Sequence, residues 1–78
     1  MRSRLKLSLL DRAGSVERVL RVARHRGFSL REFNARQGER GLLDVSVEVE
    51  SERPAMLLVS QWAKLPEVRA LQIGKTMA

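Results

Sequence analysis

Few side chains in this sequence could do covalent chemistry. There is no cysteine to act as a nucleophile or thiolate ligand, and the single histidine, His25, cannot assemble a metal site by itself. On paper Ser29, His25 and Asp11 compose a Ser–His–Asp set, but three common residues in a small domain carry little weight. His25 is better read as a cation near a helix C-terminus. Gly38-Glu39-Arg40-Gly41 lacks the G-x-G-x-x-G spacing that cradles phosphate. The chain is therefore expected to bind rather than to catalyse, with no cofactor or metal of its own.

Charge sets what it could bind. The net charge of +6 is unevenly placed. Residues 1–40 hold 11 Lys/Arg against 4 Asp/Glu (11 − 4 = +7), and residues 41–78 hold 4 against 5 (4 − 5 = −1). A basic half can face nucleic acid or an acidic protein, or it can simply be a solvated helix face, which is the commoner case.

Size points to a partner. Seventy-eight residues make one small domain, 1–78, with an ordered core expected over about 4–74. A core this small is marginal unless disulfides, a metal or another chain supplement it, and the first two are missing from the composition. Homodimerisation is the expectation. The opening Met1-Arg2-Ser3-Arg4-Leu5-Lys6-Leu7-Ser8-Leu9-Leu10 is too short and interrupted for a signal peptide, and no stretch approaches the roughly 20 apolar residues of a membrane span. A cytoplasmic protein with no membrane partner is expected.

The elements that must position any site follow from periodicity. Leu5, Leu7 and Leu9 alternate as in a half-buried strand, and Asp11 to Ser15 breaks the pattern with turn formers. From Val16 the period becomes helical. Val16, Val19, Leu20 and Ala23, with Val22 beside them, form the expected apolar stripe, capped by Gly14 or Ser15 and stopped at Gly27. A second strand starts at Phe28, and the parity change between Phe28/Leu30 and Phe33/Ala35 suggests a bulge or a change of buried face near Glu32. Gln37 to Gly41 reads as a hairpin loop. Leu43, Val45, Val47 and Val49 then alternate with Asp44, Ser46, Glu48 and Glu50. A second helix is expected from Pro54 in its first turn, with Ala55, Leu58, Val59, Trp62 and Leu65 inward and Pro66 as its stop. A last strand spans Glu67 to Gly74, and the final residues look loose. The order β-α-β-β-α-β is a ferredoxin-like α+β fold, an antiparallel four-stranded sheet with two helices on one face.

The same topology carries an RNA-recognition module, which stacks bases on aromatics of its central strands. The third strand here has no aromatic, and its polar face carries Asp44, Glu48 and Glu50, which would repel phosphates. Nucleic acid is accordingly disfavoured.

Leu10-Asp11-Arg12-Ala13-Gly14-Ser15-Val16, followed by Glu17-Arg18-Val19-Leu20-Arg21-Val22 and Arg24-His25-Arg26-Gly27-Phe28, resembles the first strand–helix–strand of ACT domains. It is similar in particular to the small regulatory subunits of acetolactate (acetohydroxyacid) synthase, of the isozyme II type; Lys64-Leu65 and Val68 fit the same pattern. The resemblance implies a non-catalytic, activating subunit in branched-chain amino-acid synthesis that ends with its ACT unit. It implies a homodimer bound to a large catalytic subunit, where thiamine diphosphate, FAD and Mg²⁺ would sit. It also implies a branched-chain amino-acid effector at the turn after the first strand. Candidate effector-binding residues are Asp11, Gly14, Ser15, Val16, Ser29 and Leu30. The helix start at Gly14-Ser15-Val16 would favour a carboxylate, whereas Gly14 could equally serve only to make the turn. Valine-sensitive relatives carry asparagine where this chain has Asp11 and Ser29, so weak or absent valine sensitivity is expected. The alternatives are an ACT sensor serving another enzyme and, from a different class, a small basic nucleic-acid-binding domain.

Overall fold

A computed structural model describes residues 1–74 of the chain; the expectation of loose final residues lies outside that range. Six elements follow in order: β1 (Arg2–Leu10), α1 (Ser15–His25), β2 (Ser29–Gln37), β3 (Leu42–Glu50), α2 (Ala55–Trp62) and β4 (Val68–Ile73). The strands form one antiparallel sheet ordered β2-β3-β1-β4, so β2 and β4 are its edges. The expected α+β architecture is what the chain adopts.

The core lies between one sheet face and the two helices. Leu5, Leu7 and Leu9 of β1 stand beside Val47, Val45 and Leu43 of β3, and Val19, Ala23, Leu58 and Trp62 cover them. Leu5 is fully buried, which contributes about 1.5–3 kcal/mol. Trp62 is also fully buried and its indole Nε1–H donates to Val19 O at 3.0 Å, so the largest core side chain also ties α2 to α1.

The ending of α1 is a Schellman motif. Gly27, at φ +85°, donates to Arg24 O, and Phe28 donates to Ala23 O while both their side chains join the core. The bulge expected near Glu32 falls between Leu30 and Glu32, and it puts Leu30, Phe33 and Ala35 opposite Val49, Val47 and Val45. A second bulge, between Ser8 and Leu9, lets Val68 and Leu71 both pack against the core despite their odd spacing.

Four expectations are corrected. The stripe of α1 is centred on Ser15, Val19 and Ala23, with Val16 and Val22 at its margins, while Leu20 is half-buried and does not join the core. The N-cap Gly14 starts the helix one residue earlier than the apolar pattern does. Pro54 is the extended N-cap of α2 rather than part of its first turn. That helix ends at Trp62, not at Pro66, because the Lys64 and Leu65 N–H groups bond only three residues back, tightening the chain into turns. β4 accordingly begins at Val68, which leaves Glu67 in the preceding turn.

The uncovered sheet face is a lattice of ion pairs. Arg4 of β1 reaches Glu48 of β3 at 2.9 Å and Glu32 of β2 at 3.2 Å, Arg2 lies against Glu48 and Glu50, and Arg31 lies 2.7 Å from Glu50. Arg31's hydrogen bond and charge hold the Glu50 carboxyl below its ordinary value. The acidic residues of β3 are thus not a bare repulsive surface, which corrects the reading from alternation alone. No aromatic stands on that face in its place: Phe28 and Trp62 are buried, and Phe33 packs on the core.

Candidate effector site at the first turn

The β1–α1 turn is pinned at both sides. Leu10 N–H donates to Glu67 O at 2.8 Å and Asp11 N–H to Gly41 O at 3.0 Å, so the segments before β4 and β3 hold it. Within the turn, Arg12 N–H bonds Leu10 O and Ser15 N–H bonds Arg12 O. Gly14 adopts φ +84° and ψ −3°, and its carbonyl accepts from Arg18 N–H as the helix begins. The Ala13 and Gly14 N–H groups have no backbone partner among the described residues, and first-turn amides such as those of Val16 and Glu17 have none within a helix. The turn therefore offers several amide donors beside the positive end of α1, an arrangement suited to a carboxylate.

An ion pair between an exposed arginine and a buried carboxylate adjoins them. Arg18 Nε meets Glu67 Oε2, and the Arg18 guanidinium lies 3.6–4.0 Å from where a Cβ on Gly14 would stand. Glu67 is only 4% exposed. A hydrogen bond from its own backbone N–H keeps its carboxyl below the ordinary 4.5; burial opposes this, and Arg18 assists it. Glu67 Oε1 and the Ser15 hydroxyl, on a residue 1% exposed, are buried without a hydrogen-bond partner. Buried polar atoms cost free energy unless water or another polar group meets them.

Asp11 is exposed and held in place, its Oδ2 accepting from Gln37 Nε2 at 3.1 Å. Asp11, Gly14, Ser15 and Val16 thus cluster at one end of the sheet. Ser29 and Leu30 do not join them. Ser29 pairs with Glu50 and Glu50 with Arg2, at the opposite end of nine-residue strands, and at about 3.4 Å per residue those ends lie roughly 27 Å apart. Ser29 and Leu30 instead line a shallow groove with Arg24, Gly27 and Phe28. The same separation of Asp11 from Ser29 rules out the paper triad. The sequence reading missed Arg18, Glu67 and Gln37. The first two are 49 positions apart and the third is 26 from Asp11, so no local pattern could have paired them.

Another depression lies on the uncovered sheet face, among Lys6, Ser8, Asn34, Arg36, Asp44 and Ser46. It is open, and its side chains do not converge on a point. Among the described residues no group of three His, Cys, Asp or Glu could hold a metal ion, and no helix is long and apolar enough to cross a membrane.

No curated protein matches the sequence. Several solved structures share the fold. The acetolactate synthase small subunit from Thermotoga maritima superposes with a TM-score of 0.80 at 19% identity, over 94% of this chain and 47% of that one, so this chain spans about half its length. The ACT domain from GTP pyrophosphokinase of Chlorobium tepidum gives 0.78 at 11% identity, over 94% and 96%. The C-terminal domain of the MgtC protein from Mycobacterium tuberculosis gives 0.73 at 15%, over 94% and 84%. The ACT domain family model matches residues 11–71, from the turn through most of β4. With the fold, the turn at Gly14 and that match in agreement, the chain belongs to the ACT domain family, whose members are regulatory, amino-acid-sensing modules.

Proposed function

We propose that the chain is a non-catalytic regulatory subunit of acetolactate synthase, acting in the cytoplasm as a homodimer that binds and activates the large catalytic subunit. Thiamine diphosphate, FAD and Mg²⁺ belong to that partner. The observation that carries the regulatory reading is the β1–α1 turn, with its free amides at Gly14 beside Arg18. The resemblance of Glu17–Val22 and Arg24–Phe28 to the small subunits favours this enzyme over another target.

Pairing along β2 would reunite the two halves of the candidate site. β2 is an edge strand. If two copies join antiparallel along it, Ser29 and Leu30 of one chain stand beside Gln37 of the other, and Gln37 already holds Asp11. Leu20 supports the same pairing. Arg18 and Arg26 turn toward Glu67 and the α2 residue Gln61, which places Leu20 on the flank of α1 away from α2. A half-exposed leucine outside the core suits a helix–helix contact between copies.

Valine inhibition is weak or absent in this reading. A ligand carboxylate at the turn would lie within a few ångströms of Asp11, where like charges cost on the order of 1 kcal/mol or more near a protein surface. Ser29 is too short to supply the amide that asparagine would. The test combines the purified chain with the catalytic subunit from the same organism and follows acetolactate formation. Stimulation that persists with added valine is expected, and Asp11→Asn with Ser29→Asn should bring measurable valine binding. Failure to bind or stimulate that subunit would sink the proposal. In that event the second reading, an ACT sensor serving another enzyme, takes its place.

A further inference from the structure

Cations with no carboxylate within 4 Å among the described residues stand on several surfaces, including Lys6 and Arg36 on the sheet face. On the uncovered sheet face Arg2, Arg4 and Arg31 are each within 4 Å of a carboxylate, and Arg18 is matched by Glu67. The helix layer holds four more such unmatched cations. Arg21, Arg24, Arg26 and Arg53 are all exposed, and none lies within salt-bridge distance of a carboxylate among the described residues.

Two of these adjoin on α1 and two flank its C-terminal end. Arg21 and Arg24 are three residues apart on α1, diametrically across the helix from Val19 and Ala23, so they point outward. Arg26 extends across to Gln61 Oε1 at 3.0 Å, and Arg53 packs on Gly27, 3.5 Å from where its Cβ would be. A helix C-terminus gains from nearby cations, which accounts for Arg24 and Arg26 in part. It does not account for Arg21, in mid-helix, or for Arg53, on the segment before α2.

We propose that this arginine ridge is the surface that docks a carboxylate-rich patch on a folded protein partner. The inference rests on the regulatory-subunit reading for the partner's identity, the catalytic subunit, but its charge argument stands on this chain alone. Cations crowded within a Debye length of about 8 Å add their fields, which steers an acidic surface in and fixes its orientation. A second copy meeting the ridge symmetrically would set like charges against each other, which disfavours it as the occupant. Nucleic acid fits less well than protein. Glu17 lies on the same outward face, four residues before Arg21, where it would oppose a run of phosphates. No aromatic is exposed on the layer to stack a base, since Trp62 and Phe28 are buried. A protein surface can place carboxylates against the arginines and a single cation against Glu17.

The experiment uses Arg21→Glu/Arg24→Glu, with Lys6→Glu on the sheet face as control and Trp62 fluorescence as the check on folding. Binding to the catalytic subunit should weaken tenfold or more in the double variant and hold in the control, and wild-type affinity should fall between about 50 and 300 mM salt. If the wild type binds and the double variant binds equally, the docking surface is wrong while the regulatory reading stands. If the wild type does not bind that subunit, a glutamate-rich helical peptide serves as probe, followed by amide chemical shifts. Shifts confined to α1 and the Arg53 segment keep the surface and discard the enzyme; shifts on the sheet, or none, overturn it. A duplex RNA of 20 base pairs that binds more tightly than the peptide, with the same dependence on Arg21 and Arg24, would also overturn it.

Discussion

Replacing Gly14 with alanine isolates what the turn contributes to folding. Its φ of +84° lies in the left-handed region, which costs a residue with a Cβ roughly 1–2 kcal/mol. Sterics add nothing, because the new Cβ would meet Arg18 Nη2 at 3.6 Å and Nη1 at 3.9 Å, ordinary contact distances. With a urea slope near 1 kcal/mol/M for a domain of this size, the midpoint should drop by about 1–2 M without a change in slope. Trp62, the single tryptophan and fully buried, reports the transition. Gly14→Asp carries a backbone cost no larger than that of alanine, since aspartate enters the left-handed region more readily, and it also sets a carboxylate beside Arg18, in competition with Glu67 and with any ligand anion. Isothermal calorimetry with leucine, isoleucine and valine then separates the roles. An effector site loses binding in the aspartate variant while stability falls only as far as in the alanine variant. An unchanged midpoint for alanine would refute the strain argument, and a loss beyond about 4 kcal/mol would mean that the turn had been displaced rather than strained.

Glu67 gives a pH signature. Its folded-state pKa is depressed, so it contributes stability above the unfolded value that is lost as pH falls below about 4.5 through the folded value; Glu67→Gln should lower stability at pH 7 and flatten that acid slope, and an unchanged slope in urea melts would contradict it. Trp62→Phe removes the bond to Val19 O and part of the core's largest side chain, and it should cost about 1–3 kcal/mol by circular dichroism melts. Leu20→Asp should leave the fold intact, since Leu20 does not join the core, yet shift sedimentation toward monomer; a dimer that persists would exclude α1 from the contact between copies.

Local chemistry alone determined a good deal. Alternation in Leu5–Leu9 and Leu43–Val49, the glycines that end α1 and open the hairpin, and the parity break near Glu32 each record a backbone constraint among near neighbours. Such constraints survive in sequence because the period and turn chemistry are set within a few residues. What tertiary structure decided involves partners far apart in the chain. Leu20 sits on the helical period as well as Val16 does, and only the placement of α2 through Arg18–Glu67 and Arg26–Gln61 turns it away from the core. Tightened turns after Trp62, not the proline, stop α2. The six candidate effector residues look like one set in sequence, but the antiparallel sheet sends Asp11 and Ser29 to opposite ends, because β1 and β2 both flank β3 and run the same way. Which arginines stay free of carboxylates was likewise invisible, since an ion pair depends on which strand lies beside which, and that order is a property of the folded sheet.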